Sequence, residues 1–458
     1  MRKPKIGFLS LTCPTHIDAF NENGSAWVDT ENLSNLKKVL LHANLDLVDN
    51  GKIITNFNDL ISCEKMFSNE DVDLIFLYIA TWNWADQVCQ FVRNMMKPVL
   101  IYTFNDSKAW SIGGLAATHG GLDEIGLKNT VVYGDINDQK VLNDIVSYSK
   151  ACMVKNILKK SRYGSIGGQG MGIISGIIDP NQWLKDFGII TGFVDQYRLV
   201  IESEKISEEN VRKYYDILKK EYKFVPEYND IFNKSIRLYL ALEKVIEQEA
   251  FDFTGVKCTF DLSDNYCSAC LAQSRLSKRG FASACLNDSN GALSVYILTL
   301  LNQGKEPIFT ADVNLVDKNN NIIKLIDDGS ATPDLALNPG EEAELGMQPK
   351  LEAKAGGICT KLFAKPGKVN LIRLARLNSK YVLHYTEGEI SLYSELEKEE
   401  IYKECGYPMW PHALVKIKGS SEKFIYNLRS EYIHMTYGDY KQDIINFCEL
   451  FDMALIEN

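Results

Sequence analysis

Apolar runs of strand length alternate with helical segments along the first 150 residues: 5–10, 72–80, 98–103 and 130–133 are strand-like, and 33–43, 84–96 and 139–150 are helical. Such βαβ alternation predicts a parallel sheet with helices on both faces. Gly113-Gly114, Gly120-Gly121 and the stretch 122–126 predict a loop and a short helix before the last of those strands. A second unit starts after Lys159-Lys160. Its residues 162–172 (Arg-Tyr-Gly-Ser-Ile-Gly-Gly-Gln-Gly-Met-Gly) are too glycine-rich for a helix interior and suit a loop that approaches a ligand. The glycine spacing is not that of a dinucleotide-binding turn, although Asp195 sits roughly where its acidic partner falls. Amphipathic charged helices are predicted over 208–222 and 228–248. From about residue 306 the texture becomes short β-rich runs (308–315, 322–326, 369–376, 381–385) punctuated by Asn338-Pro-Gly and Lys365-Pro-Gly, which reads as a sheet or barrel closed by a final helix over 440–451.

At 458 residues the chain is too long for a single core, and at about 100 to 200 residues per domain it divides into about three. Hydrophobic residues at 45% and charged residues at 24% are the balance of an ordinary globular protein. With 50 Lys and Arg against 60 Asp and Glu, the net charge of −10 disfavours a broad grip on nucleic acid and points to a small neutral or polar ligand. Met1-Arg-Lys-Pro-Lys is followed by a strand-length run rather than a signal-peptide core, and no run approaches the roughly 20 apolar residues of a membrane span. The expected location is the cytoplasm, without membrane attachment. There the eleven cysteines are expected to be reduced, so core packing, metal binding and catalysis outrank disulfides.

Four segments, in order and spacing, resemble the L-fucose isomerase branch of the L-fucose/L-arabinose isomerase superfamily. They are 162–179 with Gln182-Trp183 and Phe187-Gly188; Cys285-Leu-Asn-Asp-Ser-Asn-Gly-Ala with Phe309-Thr-Ala-Asp-Val; Leu325-Ile-Asp-Asp-Gly-Ser-Ala; and Trp410-Pro-His-Ala with Tyr437-Gly-Asp. The resemblance implies an α/β chain of two doubly wound α/β domains (1–155 and 156–305) followed by a C-terminal β-barrel-like domain (306–458). It also implies self-association into a trimer or hexamer with sites between subunits, and aldose–ketose isomerisation of a sugar. In that family a divalent metal, typically Mn²⁺, clamps two substrate oxygens while paired carboxylates shuttle a proton through an ene-diol.

Carried over one at a time, the family's functional residues are only partly matched. Its aspartate falls on Asp312, the implied acid/base and metal ligand. Its glutamate falls on Leu286, and its histidine on Tyr432, with Glu431 in place of the preceding asparagine. His434 and Glu431 lie close enough to be replacement ligands, with Asp288 a third. On a strand His434 would share a face with Tyr432 while Glu431 pointed away. The bland alternative is a hydrogen-bonded structural Asp312 and a packed core His434. His412, Ser330 and Glu387 fall on positions that contact or surround the sugar, although a strand-edge histidine and simple scaffolding explain them equally well.

A rival reading comes from Cys258, Cys267, Cys270 and Cys285, which lie within 28 residues, the last beside Leu286. A C-x-x-C pair with two further cysteines has the composition of a four-thiolate Zn²⁺ or Fe–S site, but the x8, x2, x14 spacing is no standard zinc ribbon. Free buried thiols and a reactive catalytic thiol are the other readings. Three functions therefore stand: a sugar isomerase with a degenerate metal site; a redox or lyase enzyme with a metal or cluster at Cys267, Cys270 and Cys285; and a non-catalytic binding homologue.

Overall fold

The first five strands pair in parallel in the order β2-β1-β3-β4-β5: β1 (Lys5–Leu11), β2 (Asp46–Ile54), β3 (Leu74–Ile79), β4 (Val99–Thr103) and β5 (Asn129–Tyr133). The computed structural model describes residues 2–13, 30–106, 109–404 and 406–458. Between the strands lie α1 (Thr30–His42), α2 (Phe57–Glu70), α3 (Ala85–Met95), α4 (Ser111–Glu124) and α5 (Gln139–Leu158). Every residue of β3 and β4 is buried, as central strands covered on both faces must be. β2 has no apolar run to announce it. It is an edge strand, and of its nine residues Asp-Leu-Val-Asp-Asn-Gly-Lys-Ile-Ile only Ile54 is fully buried.

The expected loop at the paired glycines is instead the 14-residue helix α4. A Cβ on Gly114 would lie 2.9 Å from the Thr81 carbonyl oxygen, and one on Gly121 would lie 2.8 Å from the Cys89 sulfur. The glycines there allow close packing and do not break the helix. The helix Lys441–Leu450 belongs to this first compact unit, which comprises residues 1–157 and 442–452, and does not close the barrel. Asn446 donates to Ser147 Oγ at 2.9 Å, and Lys150 pairs with Asp443 at 3.1 Å.

The second compact unit, residues 158–441 and 453–458, holds both a parallel sheet and a barrel. The sheet strands β6 (Arg162–Ile166), β7 (Ile190–Val194), β8 (Phe253–Val256) and β9 (Ser283–Cys285) run in the order β7-β6-β8-β9. The first five residues of the glycine-rich stretch form a strand, contrary to the loop expectation. Gly164 is required there because a Cβ would strike the ring of Phe251. Helices α6 (Pro180–Asp186), α7 (Gln196–Glu204), α8 (Glu208–Glu221), α9 (Asp230–Glu249), α10 (Cys270–Lys278) and α11 (Ser289–Leu301) follow. α11 is buried at all 13 positions, which fits a helix that is apolar on every side.

The remaining strands are β10 (Ile308–Asp317), β11 (Ile322–Ile326), a two-stranded ribbon of β12 (Glu344–Met347) and β13 (Ile358–Lys361), β14 (Gly367–Leu377), β15 (Lys380–Ile390), β16 (His412–Ile417), β17 (Tyr432–Tyr437) and β18 (Ala454–Glu457). Six of them close an antiparallel barrel, β14-β17-β10-β11-β16-β15, with β15 returning to β14 and β18 added in parallel along β15. Phe309, Leu325, Leu371, Ile390, Val415 and Met435 meet in its interior, one from each strand. The chain is thus an α/β protein with two parallel sheets and a C-terminal β-barrel. No helix among the described residues is long and apolar enough to cross a membrane.

Candidate active site

Three strands of the second unit end at one place. β6 runs into Gly167 and Gly168, at φ of 87° and 78°, β8 into Lys257-Cys258, and β9 ends at Cys285. The strand order reverses between β6 and β8, and a crevice at such a switch is where open α/β sheets bind ligands. Asn287 ties the ends together. Its amide donates to Ser165 Oγ at 2.9 Å and to the Gly168 carbonyl at 2.5 Å, and its oxygen accepts from the Tyr163 hydroxyl at 2.7 Å. Leu286 and Asn287 both sit at φ 53°, in the left-handed region that residues with a side chain seldom occupy.

The barrel contributes the facing wall. Phe309, Ala311, Ile433 and Met435 fill the barrel, so the period-two alternation turns Thr310, Asp312, Tyr432 and His434 outward. Asp312 stands opposite Tyr432 on one side and Ile326 on the other. Burial, and then the acidic charges of Asp328, Glu431 and Glu352, hold its carboxyl well above the usual carboxylate range. Asp328 follows the end of β11; its Oδ2 accepts from the Cys285 thiol at 3.1 Å, and its side chain is hydrogen-bonded to that of Asp327. Glu431 precedes β17 and so escapes the strand alternation that was expected to turn it away. Its charge acts on both Asp312 and Tyr432, and its buried Oε1 has no partner.

The cysteines divide. Cys258 and Cys285 are hydrogen-bonded to each other, and Cys270 accepts from Gln348 Nε2 at 3.0 Å while feeling the charges of Asp328 and Cys258. Cys267 turns to Ser235 instead. The Cys258–Cys285 contact and burial, with Asp328 nearby, push the Cys285 thiol well up, as burial and Asp328 do for Cys270. No two of the ten described cysteines are joined in a disulfide.

His434 is fully buried, with Nδ1 at 3.2 Å from Thr310 Oγ and Nε2 at 3.4 Å from an Arg373 nitrogen. Burial and then the Arg373 charge lower its pKa to about 3, so the ring is neutral. Arg373 grips Asp288 through both carboxylate oxygens, and Asp288 also caps α11 by accepting from Gly291 N at 3.0 Å. Burial opposes the charge on Asp288, but the Arg373 charge and hydrogen bonds outweigh it and hold the carboxyl below its usual range. Two of the three candidate replacement ligands, His434 and Asp288, are thus bound into a structural network.

The other candidates lie elsewhere. His412, opposite Ile326, packs on the Tyr402 ring at 4.7 Å and bonds the Tyr407 carbonyl at 3.3 Å. Glu387 pairs with Lys418 at 3.1 Å in a separate pocket beside β14 and β16, and Ser330 donates to Asp327 at 2.9 Å. Sequence reasoning missed Asp327, Asp328 and Glu352. The Asp-Asp-Gly at the end of a predicted strand was the available signal for the first two.

Two parallel α/β sheets and a closed six-stranded barrel, with an acidic cluster at the strand ends, define the class as a sugar-isomerase-like α/β-barrel protein. Residues 28–160 match the family model of the L-fucose isomerase first N-terminal domain, and residues 347–457 match that of the L-fucose isomerase C-terminal domain. The chain belongs to the fucose isomerase superfamily. It is similar to the sulfoquinovose isomerase of Priestia megaterium, at 19% identity over 347 residues covering 74% of this chain and 76% of that one. The sulfoquinovose isomerase of Alkalicoccus urumqiensis is 23% identical, covering 56% and 57%. The L-fucose isomerase of Citrobacter koseri is 24% identical, covering 34% and 28%.

The family's metal does not fit the donors present. Leu286 and Tyr432, which the family resemblance sets at two of the three ligand positions, pack on each other with Cys285 and Ile173. Among the described residues no three His, Cys, Asp or Glu side chains are placed to hold a metal ion.

Proposed function

We propose that the chain is an aldose–ketose isomerase acting on an uncharged sugar, with proton transfer run by the carboxyl groups around Asp312. One observation carries this reading: Asp312, whose buried carboxyl holds its proton more tightly than a carboxylate usually does, stands among the acidic groups Asp328 and Glu431, and Glu431 keeps a buried oxygen without a partner. An acid beside a base is the requirement for moving a proton between adjacent carbons of a hydroxy-carbonyl compound. A free carboxylate oxygen takes the C2 proton while Asp312 gives its own to the carbonyl oxygen, forming an ene-diol. The carboxylic acid so formed then protonates C1, and Asp312 recovers a proton from the C2 hydroxyl, which leaves the ketose with no net oxidation. The Cys285 thiol, bonded to Asp328, holds that carboxylate in place.

The charge balance supports an uncharged substrate. The strongest charges acting on Asp312 are all acidic, so a sulfonated sugar, the kind of substrate named for two of the relatives, meets repulsion at this wall. The test is incubation with neutral aldoses and ketoses in D₂O, followed by mass spectrometry and NMR. Interconversion with deuterium at the carbon receiving the proton supports the reading; no isomer and no exchange with any sugar overturns it.

The rival reading, a thiolate-bound metal or Fe–S centre, is not favoured: Cys258, Cys270 and Cys285 gather beside Asp328, but no three His, Cys, Asp or Glu side chains among the described residues are placed to hold a metal ion. Iron with acid-labile sulfide in protein purified without oxygen would establish it in place of the first.

A further inference from the structure

A second cavity, of about 260 Å³, lies at the other end of β9. The Asp312 cluster gathers at the C-terminal end of that strand, by Cys285. The cavity opens at its N-terminal end, by Ser283, between α10, α11, the start of β10 and the turn after β11. Neither Asp312 nor Asp328 nor Cys285 lines it.

One buried wall group has unused hydrogen-bonding capacity. Gln273, 3% exposed, accepts from Ser283 at Oε1 while Nε2 has no partner. A buried polar atom left unpaired costs on the order of 1–3 kcal/mol, so a free donor lining a cavity indicates a missing partner. Thr299 and Thr310 add hydroxyls to the wall, and Asp327, 1% exposed, adds a carboxyl that is bonded to Ser330 and to the Asp328 side chain. The lysines lining the cavity, Lys278, Lys305 and Lys365, are balanced by Asp327, Asp334 and Glu306, with Lys278 paired to Asp334 and Lys365 to Glu306, which argues against an anion.

We propose that this cavity binds a small polyhydroxy compound, up to about the size of a monosaccharide, held by Gln273. A hydroxyl both donates and accepts, so one hydroxyl satisfies the free amide hydrogen of Gln273 while its neighbours bond the Thr299 and Thr310 hydroxyls. The cavity does not include Asp312, Asp328 or Cys285, and the proposal does not depend on the chemistry assigned to them.

Ligand-observed NMR titrations of the full chain with glycerol, D-ribose and D-glucose test the proposal on the wild type, Asp312→Asn, Gln273→Leu and the cavity-filling Thr299→Phe. At least one probe is expected to bind the wild type and Asp312→Asn alike, to weaken about tenfold in Gln273→Leu, and to be lost in Thr299→Phe. Thermal melts confirm folding, and should Thr299→Phe fail to fold, Gln273→Leu decides alone. The proposal is overturned if no probe binds below about 50 mM, if Gln273→Leu binds as the wild type does, or if Asp312→Asn alone removes binding and so places the ligand at the front site.

Discussion

Asp312 is buried and surrounded by acids, and together they hold its carboxyl above the usual carboxylate range. Asp312→Asn keeps the shape but can neither give nor take the proton, so isomerisation and deuterium exchange should fall by about 10²- to 10⁴-fold with the melting temperature little changed. The buried pair of Asp288 and Arg373 is of another kind. Asp288→Asn leaves the guanidinium uncompensated at a site with no solvent, and urea unfolding should show a loss of about 3–5 kcal/mol. His412 adds a pH dependence, because burial, with the nearby Lys324 and Lys361 charges, lowers its pKa to about 4. Unfolded, the ring takes a proton near 6.5 and native only near 4, so within that window the unfolded state binds more protons and stability falls with falling pH. His412→Gln should remove about 3 kcal/mol of the loss seen between neutral pH and pH 4. At this scale Asp312 was legible from its motif, whereas Asp328 was not. Its role depends on a turn after β11 that brings it to Cys285, 43 positions away in sequence.

Elements were legible where burial alone dictates their pattern. β3, β4 and the barrel strands β10 and β11 carry apolar runs because both faces or one whole face lie in a core. Legibility failed at glycines, which have two opposite uses. At Gly167 and Gly168 they take positive φ and end a strand; at Gly164, Gly114 and Gly121 they let another element come close, and nothing local separates the two cases. Gly164 and Gly192, side by side on β6 and β7, both face the ring of Phe251. Gly164→Ala must displace that ring from its core, and a loss of about 1–3 kcal/mol in chemical denaturation is expected, with partial rescue by Phe251→Leu.

At the scale of the whole chain, order and spacing of motifs revealed the family before any single ligand could, because fold is specified by many positions and chemistry by few. The family resemblance predicts a trimer or hexamer, and light scattering on the purified chain should return three or six times the mass of one chain. The turn at Leu286 and Asn287 carries a wider consequence. Its left-handed backbone is held from one side by the three hydrogen bonds of Asn287 and from the other by Asp288 and Arg373, so its hydrogen-bonded support does not pass through the side chain at 286. A position anchored in this way is free to change its chemistry without disturbing its geometry. The frame of the turn therefore persists whatever reagent position 286 offers.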